Sequence, residues 1–230
     1  MKFLGFVAAA CCAAQQWEPL FDGKSTAGWH TQLKDRFPSE AWAIEDGALR
    51  CIGNAKARPD LSTVRTFRNF ELEFEWKIGK GVNSGVKYLV FGVRPNPAVG
   101  RIDPDVPKAL GLEFQLLDGG EGNPSHSTGA LYMYVAPSNM PPVPPNTWHK
   151  GKIVVRGSDV AHWINGVKVM SADLQSEFVR AAVAAQKRND VPKLAHLDEL
   201  KADPKKAYPI VLTHHGGDAW FRNMRVRVLR

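Results

Sequence analysis

Five side chains that could carry acid–base or sugar-binding chemistry lie in one short stretch of the chain: Glu113, Gln115, Asp118, His126 and Tyr132. Within it, the run LEFQL alternates apolar and polar residues, which is the pattern of a strand with one buried and one polar face. Glu113 and Gln115 therefore point the same way. A carboxylate can act as a general base, and an amide beside it can hydrogen-bond a ligand. We predict that the five side chains form the floor of a site; the alternative is the solvated outer face of an ordinary sheet.

Two strands and a loop are predicted to position these side chains. The strand that contains Glu113 is followed by a Gly-rich loop with His126, and a second strand is predicted from Ala130 to Val135. A long Pro-rich segment, from Arg94 to Leu110, precedes the first strand. Because loops of that length are usually functional or disordered, we interpret it as a rim loop over a cleft.

Most of the remaining chain also has the periodicity of strands, and the run FELEFEWK alternates strictly. Asp46-Gly47 and Asn165-Gly166 each separate two apolar runs, as two-residue hairpin turns do. Helices are predicted only between Ser171 and Ala207, where Asp173 can cap the first helix and a second covers Lys193 to Lys201. We therefore predict an all-β fold, an antiparallel two-sheet sandwich with one helical insertion.

The composition is that of a globular protein of 230 residues, with 44% hydrophobic and 23% charged residues. The formal net charge of +7 could indicate a nucleic-acid partner. The basic residues are scattered, however, apart from four arginines that alternate along the last predicted strand. We expect no nucleic acid as a partner, and no apolar run is long enough to predict a transmembrane segment.

The first fourteen residues have the order of a secretory signal peptide, in which Lys2 is followed by a short apolar run that ends in small residues. We predict a mature domain of residues 15–230 that is exported to the periplasm or secreted. Cys11 or Cys12 could instead be a lipoprotein attachment site, although the preceding alanines are a poor signal for that processing. Cleavage near Ala14 would leave Cys51 as the sole thiol, so no intramolecular disulfide is expected.

Several blocks of the sequence together resemble the 3-keto-disaccharide hydrolase domain family of exported bacterial proteins. The blocks, in order, are LFDGKSTAGWH, WAIEDGALRC, FELEFEWKIGKGVNSGVKYLV, GLEFQLLDGG, TGALYMYVAP, NTWHKGKIVVRGSDVAHWINGVKV and VLTHHGGDAWFRNMRVRVL. The resemblance implies the jelly-roll sandwich of the concanavalin-like lectins and glucanases. It also implies a small carbohydrate substrate and cleavage of glycosides that carry a ketone at carbon 3.

A ketone at carbon 3 acidifies the hydrogen on carbon 2, so a base can remove that proton and the resulting enolate can expel the group on carbon 1. Water then adds. Such a site needs a general base, a group that holds the enolate oxygen and an acid for the leaving group. A divalent metal ion could be the cofactor that holds the enolate oxygen, but the spacings of histidine and carboxylate match no zinc motif.

The catalytic candidates are Glu113 as base or metal ligand, His215 at a Gly-rich turn, Glu75 on the polar face of its strand, and His126 in the loop. The substrate-binding candidates are Gln115, Asp118, Lys87, Tyr132, His162 and Arg222. Alternatives remain for each kind of residue. Glu113 could be a rim glutamate paired with an arginine, and His162 could be a hydrogen-bonded core residue. The aromatic residues Tyr132, Trp148 and Trp163 could stack on a sugar or be buried in the sandwich.

Two other functions compete with the hydrolase. A non-catalytic carbohydrate-binding module needs mainly aromatic and amide side chains, and the predicted site has more ionisable groups than that. An ordinary retaining glucanase would need two carboxylates about 5 Å apart on one strand face. The LEFQL strand has Gln115 where the second acid would stand, which disfavours the glucanase.

Overall fold

A computed structural model describes residues 15–94, 101–119 and 122–230, and the predicted signal peptide lies outside these ranges. The strands are β1 Glu18–Pro19, β2 Trp29–His30, β3 Trp42–Glu45, β4 Ala48–Cys51, β5 Leu61–Phe67, β6 Phe70–Ile78, β7 Asn83–Arg94, β8 Lys108–Leu117, β9 His149–Arg156, β10 Asp159–Ile164, β11 Val167–Asp173, β12 Tyr208–Leu212 and β13 Ala219–Val228. The helices are α1 Glu177–Ala184 and α2 Leu194–Ala202, together with a 3-10 turn at Pro124–His126.

The strands form two antiparallel sheets that pack face to face. The large sheet has the order β11-β10-β9-β6-β13-β4-β3, and β1 pairs with β13 at its side. The small sheet has the order β2-β5-β12-β7-β8. This is the predicted antiparallel sandwich, in which strands that are distant in the sequence become neighbours.

The alternation of β6 and of the LEFQL run in β8 determines which of their residues enter the core. Phe74 of β6 and Phe114 of β8 both point between the sheets, where their rings meet edge to face with centroids 5.6 Å apart. The intervening polar residues therefore point outward, but from different sheets. Glu75 lies on the outer face of the large sheet and Glu113 on the outer face of the small sheet, so one cleft cannot contain both.

Both predicted hairpin turns are confirmed. Asp46 and Gly47 have φ values of 49° and 75° between β3 and β4. Asn165 and Gly166 have φ values of 49° and 85° between β10 and β11. Two consecutive left-handed residues give a turn whose twist matches that of the strands, and Asn, Asp and Gly adopt that conformation at least cost.

The predicted strand at 130–135 is wrong, because the chain makes a tight loop there. The backbone groups of Leu131 and Val135 bond to each other, and Met133 between them has a φ of 72°. This left-handed residue turns the chain back on itself, and the tyrosines on either side of it, Tyr132 and Tyr134, both line one cavity.

The Pro-rich connection before β8 is shorter than predicted. Strand β7 extends to Arg94 and β8 begins at Lys108, and these two residues are paired. Residues 95–100 of the predicted rim loop lie outside the described residues, and the described residues 101–107 do not line the cavity beneath.

The helical insertion contains the two predicted helices, with one difference at its start. Ser176, and not Asp173, caps α1, because Asp173 ends β11 and its carboxylate accepts a bond from the backbone N–H of Gln175. Phe178, part of the predicted apolar pattern, is 68% exposed. Neither helix of the described chain is long and apolar enough to cross a membrane.

His162 lies in the core and not at a ligand site. Its Nε2 accepts a hydrogen bond from the hydroxyl of Tyr88 at 2.8 Å, and its Nδ1 donates to the carbonyl of Gly129 at 2.9 Å. The ring is fully buried. The prediction that His162 binds substrate is therefore wrong, and the alternative, a hydrogen-bonded core histidine, is correct. Burial disfavours the imidazolium and lowers the pKa of His162 to about 3.

This buried ring predicts a loss of stability in acid. Below about pH 6.5 His162 is protonated in the unfolded chain, whereas in the folded protein it stays neutral down to about pH 3. The free energy of unfolding should therefore fall by about 1.4 kcal/mol per pH unit from this group between those limits. Urea unfolding of His162→Gln, whose amide can replace one ring hydrogen bond, should show a correspondingly smaller slope between pH 6 and 4. Equal slopes for the variant and the unchanged protein would contradict the assignment.

Candidate active-face cavity

A small cavity of about 50 Å³ lies on the outer face of the small sheet. Its floor comes from β7 and β8, one side comes from the turn after β12, and the connection between α1 and α2 covers it. The lining residues are Asn83, Lys87, Arg94, Gly111, Glu113, Gln115, Tyr132, Tyr134, Arg188, Asp190, Val191, Pro192 and His215. The sequence predicted five of these as site residues: Glu113, Gln115, Lys87, Tyr132 and His215.

Glu113 is the central acid of this cavity and is only 5% exposed. Its Oε2 lies 3.6 Å from the Nζ of Lys87, its direct cross-strand partner on β7. The hydroxyl of Thr213 donates to Oε1 at 3.3 Å. Burial raises the pKa of Glu113 above its ordinary value, although the charge of Lys87 acts in the opposite direction.

Gly85 makes room for this carboxylate. It lies on the same face of β7 as Lys87, opposite Gln115 of β8. A Cβ atom at position 85 would lie 2.2 Å from Oε1 of Glu113 and 2.9 Å from its Cγ. Any larger residue at 85 must therefore displace the Glu113 side chain, and the backbone of β7 directly supports the acid.

Buried Asp60 holds the parts of the site together. Its carboxylate accepts hydrogen bonds from the backbone N–H of Ala109 at 2.9 Å and of His214 at 3.1 Å, and from Nζ of Lys108 at 3.0 Å. The carbonyl of Ala109 in turn accepts from Nζ of Lys87 at 2.9 Å. Burial alone would raise the pKa of Asp60, but the attraction of Lys108 and Lys87 outweighs it and the pKa falls to about 2.

His215 lines the cavity from the Gly-rich turn that follows β12. His215 is exposed to solvent in part, and desolvation by the surrounding protein disfavours the imidazolium. Lys108 adds repulsion that the nearby Asp60 only partly offsets, and the pKa of His215 falls to about 3. The ring is therefore neutral at physiological pH and can donate from one nitrogen and accept at the other.

The segment between the two helices covers the cavity, and we call residues 186–193 the strap. Asp190 of the strap is held by two hydrogen bonds from Arg188, at 2.8 and 2.6 Å, and by Arg94 of β7 at 3.4 Å. The hydrogen bonds from Arg188 are the main cause that lowers the pKa of Asp190 to about 2, and the charge of Arg94 acts in the same direction. The hydroxyl of Tyr134 donates to the carbonyl of Pro192 at 2.7 Å.

Sequence reasoning missed Arg94, Tyr134, Arg188 and Asp190 as cavity residues. The strap sequence is a short polar run without strand or helix periodicity, and such runs are usually solvated. The run lies in the predicted helical insertion between Ser171 and Ala207, and nothing in its pattern places it over the site.

The other candidates on the small-sheet side have supporting positions. The Nε2 of Gln115 donates to Oδ1 of Asn83 at 3.0 Å, which orients the amide in the cavity. His126 packs its ring against Tyr132 with centroids 5.0 Å apart, so it lies behind a lining residue. Asp118 accepts from the backbone N–H of Gly81 at 2.7 Å and stabilises the turn between β6 and β7, away from the lining.

The prediction that Glu75 and Arg222 belong to the same site as Glu113 is wrong. They lie on the outer face of the large sheet, where Nε of Arg222 donates to Glu75 at 2.8 Å. The guanidinium of Arg222 also lies 3.9 Å from the ring centroid of Trp148. The two residues are a cross-strand pair of β6 and β13, and the core of the sandwich separates them from the cavity.

The carboxylates and imidazoles around the cavity do not form a set of ligands that suits a divalent cation. Within the described ranges, no three side chains of histidine, cysteine, aspartate or glutamate converge in a geometry that could hold one. Glu113 has Lys87 as its charged partner, and Asp60 has Lys108. The positive groups around Glu113 are therefore side chains of the protein.

The fold is a two-sheet antiparallel jelly-roll sandwich. A family model described as the 3-keto-alpha-glucoside-1,2-lyase-like domain matches residues 16–227, and the chain belongs to this family. A protein of Bacteroides thetaiotaomicron named 3-keto-disaccharide hydrolase is 34% identical, over 91% of this chain and 77% of that protein.

Solved structures agree on the architecture. A crystal structure from Parabacteroides distasonis, provisionally assigned as a glycosyl hydrolase, superimposes with a TM-score of 0.74 at 24% identity. It covers 93% of this chain and 94% of its own. A second structure from the same organism, also a provisional glycosyl hydrolase, gives 0.65 at 25% identity and covers 93% and 100% of the two chains.

The close approach of Gly85 and Glu113 predicts a strong energetic coupling. Gly85→Ala should destabilise the protein by about 1–3 kcal/mol, because the new methyl group clashes with the carboxylate. Glu113→Ala in the same chain should relieve that clash, so the two effects measured by urea unfolding should be strongly non-additive. The control pairs Gly85→Ala with Glu75→Ala on the opposite face, where the effects should add. Additivity in both pairs would show that position 85 does not support the acid.

Proposed function

We propose that this protein cleaves glycosides or disaccharides already oxidised to a ketone at carbon 3. The reaction would proceed by removal of the carbon-2 proton, elimination of the group on carbon 1 and addition of water. The observation that carries the proposal is the buried carboxylate of Glu113 beside the ammonium of Lys87, in a cavity of a chain that belongs to a 3-keto-glucoside lyase-like family.

Glu113 is the general base in this proposal. An ordinary glutamate is a weak base at neutral pH, and burial strengthens it by raising its pKa. A base whose pKa lies nearer the working pH transfers protons more effectively. The carboxylate takes the carbon-2 proton, and the electron pair of that C–H bond moves to form the enolate of the ketone.

Lys87 stabilises the charge that develops. Its ammonium lies 3.6 Å from Oε2 of Glu113 and is held by the carbonyl of Ala109, so it is oriented before the substrate arrives. As Glu113 accepts the proton, negative charge moves from its carboxylate to the enolate oxygen, and the same ammonium of Lys87 can stabilise the charge there. Preorganised positive charge in a buried site is worth more than the same charge in water.

His215 serves the leaving group and the water in this proposal. The enolate re-forms the ketone, carbon 2 and carbon 1 become double-bonded, and the bond from carbon 1 to the leaving oxygen breaks. That oxygen takes the N–H proton of His215 while the other ring nitrogen accepts a proton from a water molecule, so the imidazole stays neutral and a hydroxide forms. The partial exposure of His215 lets this water reach it. The hydroxide then adds at carbon 1 and Glu113 returns its proton to carbon 2, which completes a net hydrolysis and regenerates the carboxylate.

The strap must move for this reaction. A cavity of about 50 Å³ has room for one or two water molecules, each of which occupies about 30 Å³ in the liquid, and not for a sugar ring. Opening breaks the contact of Asp190 with Arg94 and the bond from Tyr134 to Pro192. Closure over a bound sugar would exclude water from the enolate, as lids do in other enzymes.

Glu113→Gln tests the assigned base. The amide keeps the shape of the side chain but cannot accept the proton, so the rate of cleavage of a 3-keto glycoside should fall by about 10²–10⁴-fold. Glu75→Gln is the matched control, a carboxylate on the opposite face whose loss should leave the rate almost unchanged. The readout is release of the leaving group, with the unoxidised glycoside measured in parallel. Near-normal turnover by Glu113→Gln would remove Glu113 from the mechanism.

The pH dependence tests the pairing with Lys87. Activity requires ionised Glu113, so kcat/KM should fall in acid, through a pKa above the ordinary glutamate value. Because the Lys87 charge lowers the pKa of Glu113, Lys87→Met should move this acid limb to higher pH as well as slow the reaction. Lys150→Met, a lysine on the opposite face, should leave the limb in place. An unmoved limb in Lys87→Met would mean that it reports another group.

A further inference from the structure

A wide concavity lies on the side opposite the cavity, on the outer face of the large sheet. It encloses about 920 Å³, within the range of about 300–1,000 Å³ typical of small-molecule sites. We call it the large-sheet groove. Its lining is Trp17, Glu18, Pro19, Phe21, Glu73, Phe74, Glu75, Lys150, Gly151, Lys152, Trp163, Gly166, Asn223, Met224 and Arg225.

One cross-strand row forms the floor of this groove. Trp163 of β10 pairs with Lys152 of β9, which pairs with Glu73 of β6 and then Arg225 of β13. The row ends at Pro19 of β1, which pairs with Arg225. Directly paired residues share a face, so their side chains form one continuous polar strip with an indole at one end.

A second indole stands at the other end of the strip. The side chain of Trp17 precedes β1, and the guanidinium of Arg225 lies 4.8 Å from its ring centroid. The ammonium of Lys152 lies 5.6 Å from the ring centroid of Trp163. Both indoles are partly exposed, so each offers an apolar surface next to hydrogen-bonding groups.

The charges of the groove are balanced. Its lining contains three acidic residues, Glu18, Glu73 and Glu75, and three basic residues, Lys150, Lys152 and Arg225. Glu73 accepts two hydrogen bonds from Arg225, at 2.9 and 2.6 Å. This compensation does not favour a strongly charged partner such as a nucleic acid or an acidic peptide. It leaves donors and acceptors in alternation, which suits the hydroxyl groups of a neutral ligand.

A bulge in β13 adds an amide to this strip. The pairing of β13 with β6 shifts between Arg222 and Arg225, and Asn223 within the bulge has a φ of 50°. The backbone carbonyl of Met224 accepts from the N–H of Leu20, which ties the chain after β1 to the bulge. The Asn223 side chain lines the groove and makes no hydrogen bond to any residue of the described ranges. Bulges commonly re-aim side chains toward functional surfaces.

We propose that the large-sheet groove binds a neutral oligosaccharide through stacking on Trp17 and Trp163 and hydrogen bonds to the strip between them. A sugar presents apolar C–H faces to an indole and hydroxyls to carboxylate, guanidinium and amide groups. This site does not depend on the proposed 3-keto chemistry, because the whole core of the sandwich lies between the two. A glycan held on the large sheet leaves the cavity on the small sheet free to work.

Calorimetric titration tests the proposal, with maltohexaose, cellohexaose and laminarihexaose as probes. The unchanged protein should bind at least one probe, and Trp17→Ala and Trp163→Ala should each weaken that binding by about tenfold. Trp148→Ala is the matched control, since it removes an indole of the same sheet face that does not line the groove. The affinity of Trp148→Ala for the probe should remain within about twofold of that of the unchanged protein. Trp163→Tyr, which keeps a ring, should bind nearly as well and covers the case in which an alanine variant does not fold.

Glu113→Gln separates this proposal from the proposed function. It should bind the probe as tightly as the unchanged protein, since Glu113 lies on the opposite face. The groove assignment is overturned if none of the three probes binds at millimolar concentration, or if both tryptophan-to-alanine variants bind like the control. Loss of binding in Glu113→Gln would place the sugar in the cavity instead. Sedimentation of a dimer that dissociates in Trp163→Ala, without sugar binding, would assign the groove to self-association.

Discussion

The site depends on one buried contact between opposite charges, that of Glu113 with Lys87. Both residues are only 5% exposed, and isolated buried charges are strongly unfavourable. Each charge therefore needs the other, and each also needs its neutral partner, Thr213 for the carboxylate and the Ala109 carbonyl for the ammonium. The cross-strand register of β7 and β8 places Lys87 directly opposite Glu113. Asp60 accepts a hydrogen bond from the N–H of Ala109 and so fixes the residue whose carbonyl orients Lys87.

Two-residue periodicity made the sheets and much of the site predictable. The LEFQL alternation correctly predicted that Glu113 and Gln115 share a face, and the Asp-Gly and Asn-Gly dipeptides correctly predicted two hairpins. Periodicity gives the face of a residue within its own strand. It does not tell which of two sheets the strand joins, and a sandwich has two outer faces. This is why Glu75 was grouped with Glu113 although the core separates them.

Other parts of the site could not be read from the sequence because tertiary contacts define them. Arg188 and Asp190 come from a polar run that resembles a solvated loop, and they reach the cavity because the two helices bring the strap across β7. Methionine is not a residue type that favours a left-handed conformation, so the sequence did not predict the tight loop at Met133 that replaces the expected strand. His162 could equally have been a ligand or a core residue until its partners, Tyr88 and Gly129, were known.

Gly85 and Glu113 are far apart in the sequence but constrain each other, because glycine has no side chain. The carboxylate of Glu113 occupies the space that a methyl group at 85 would take, so residues 85 and 113 share a single volume. A relative with a residue larger than glycine at the position of Gly85 must have a shorter or differently oriented side chain at the position of Glu113. Covariation between these two columns of a family alignment would then separate members that keep this acid from members that have lost it, without any knowledge of their substrates.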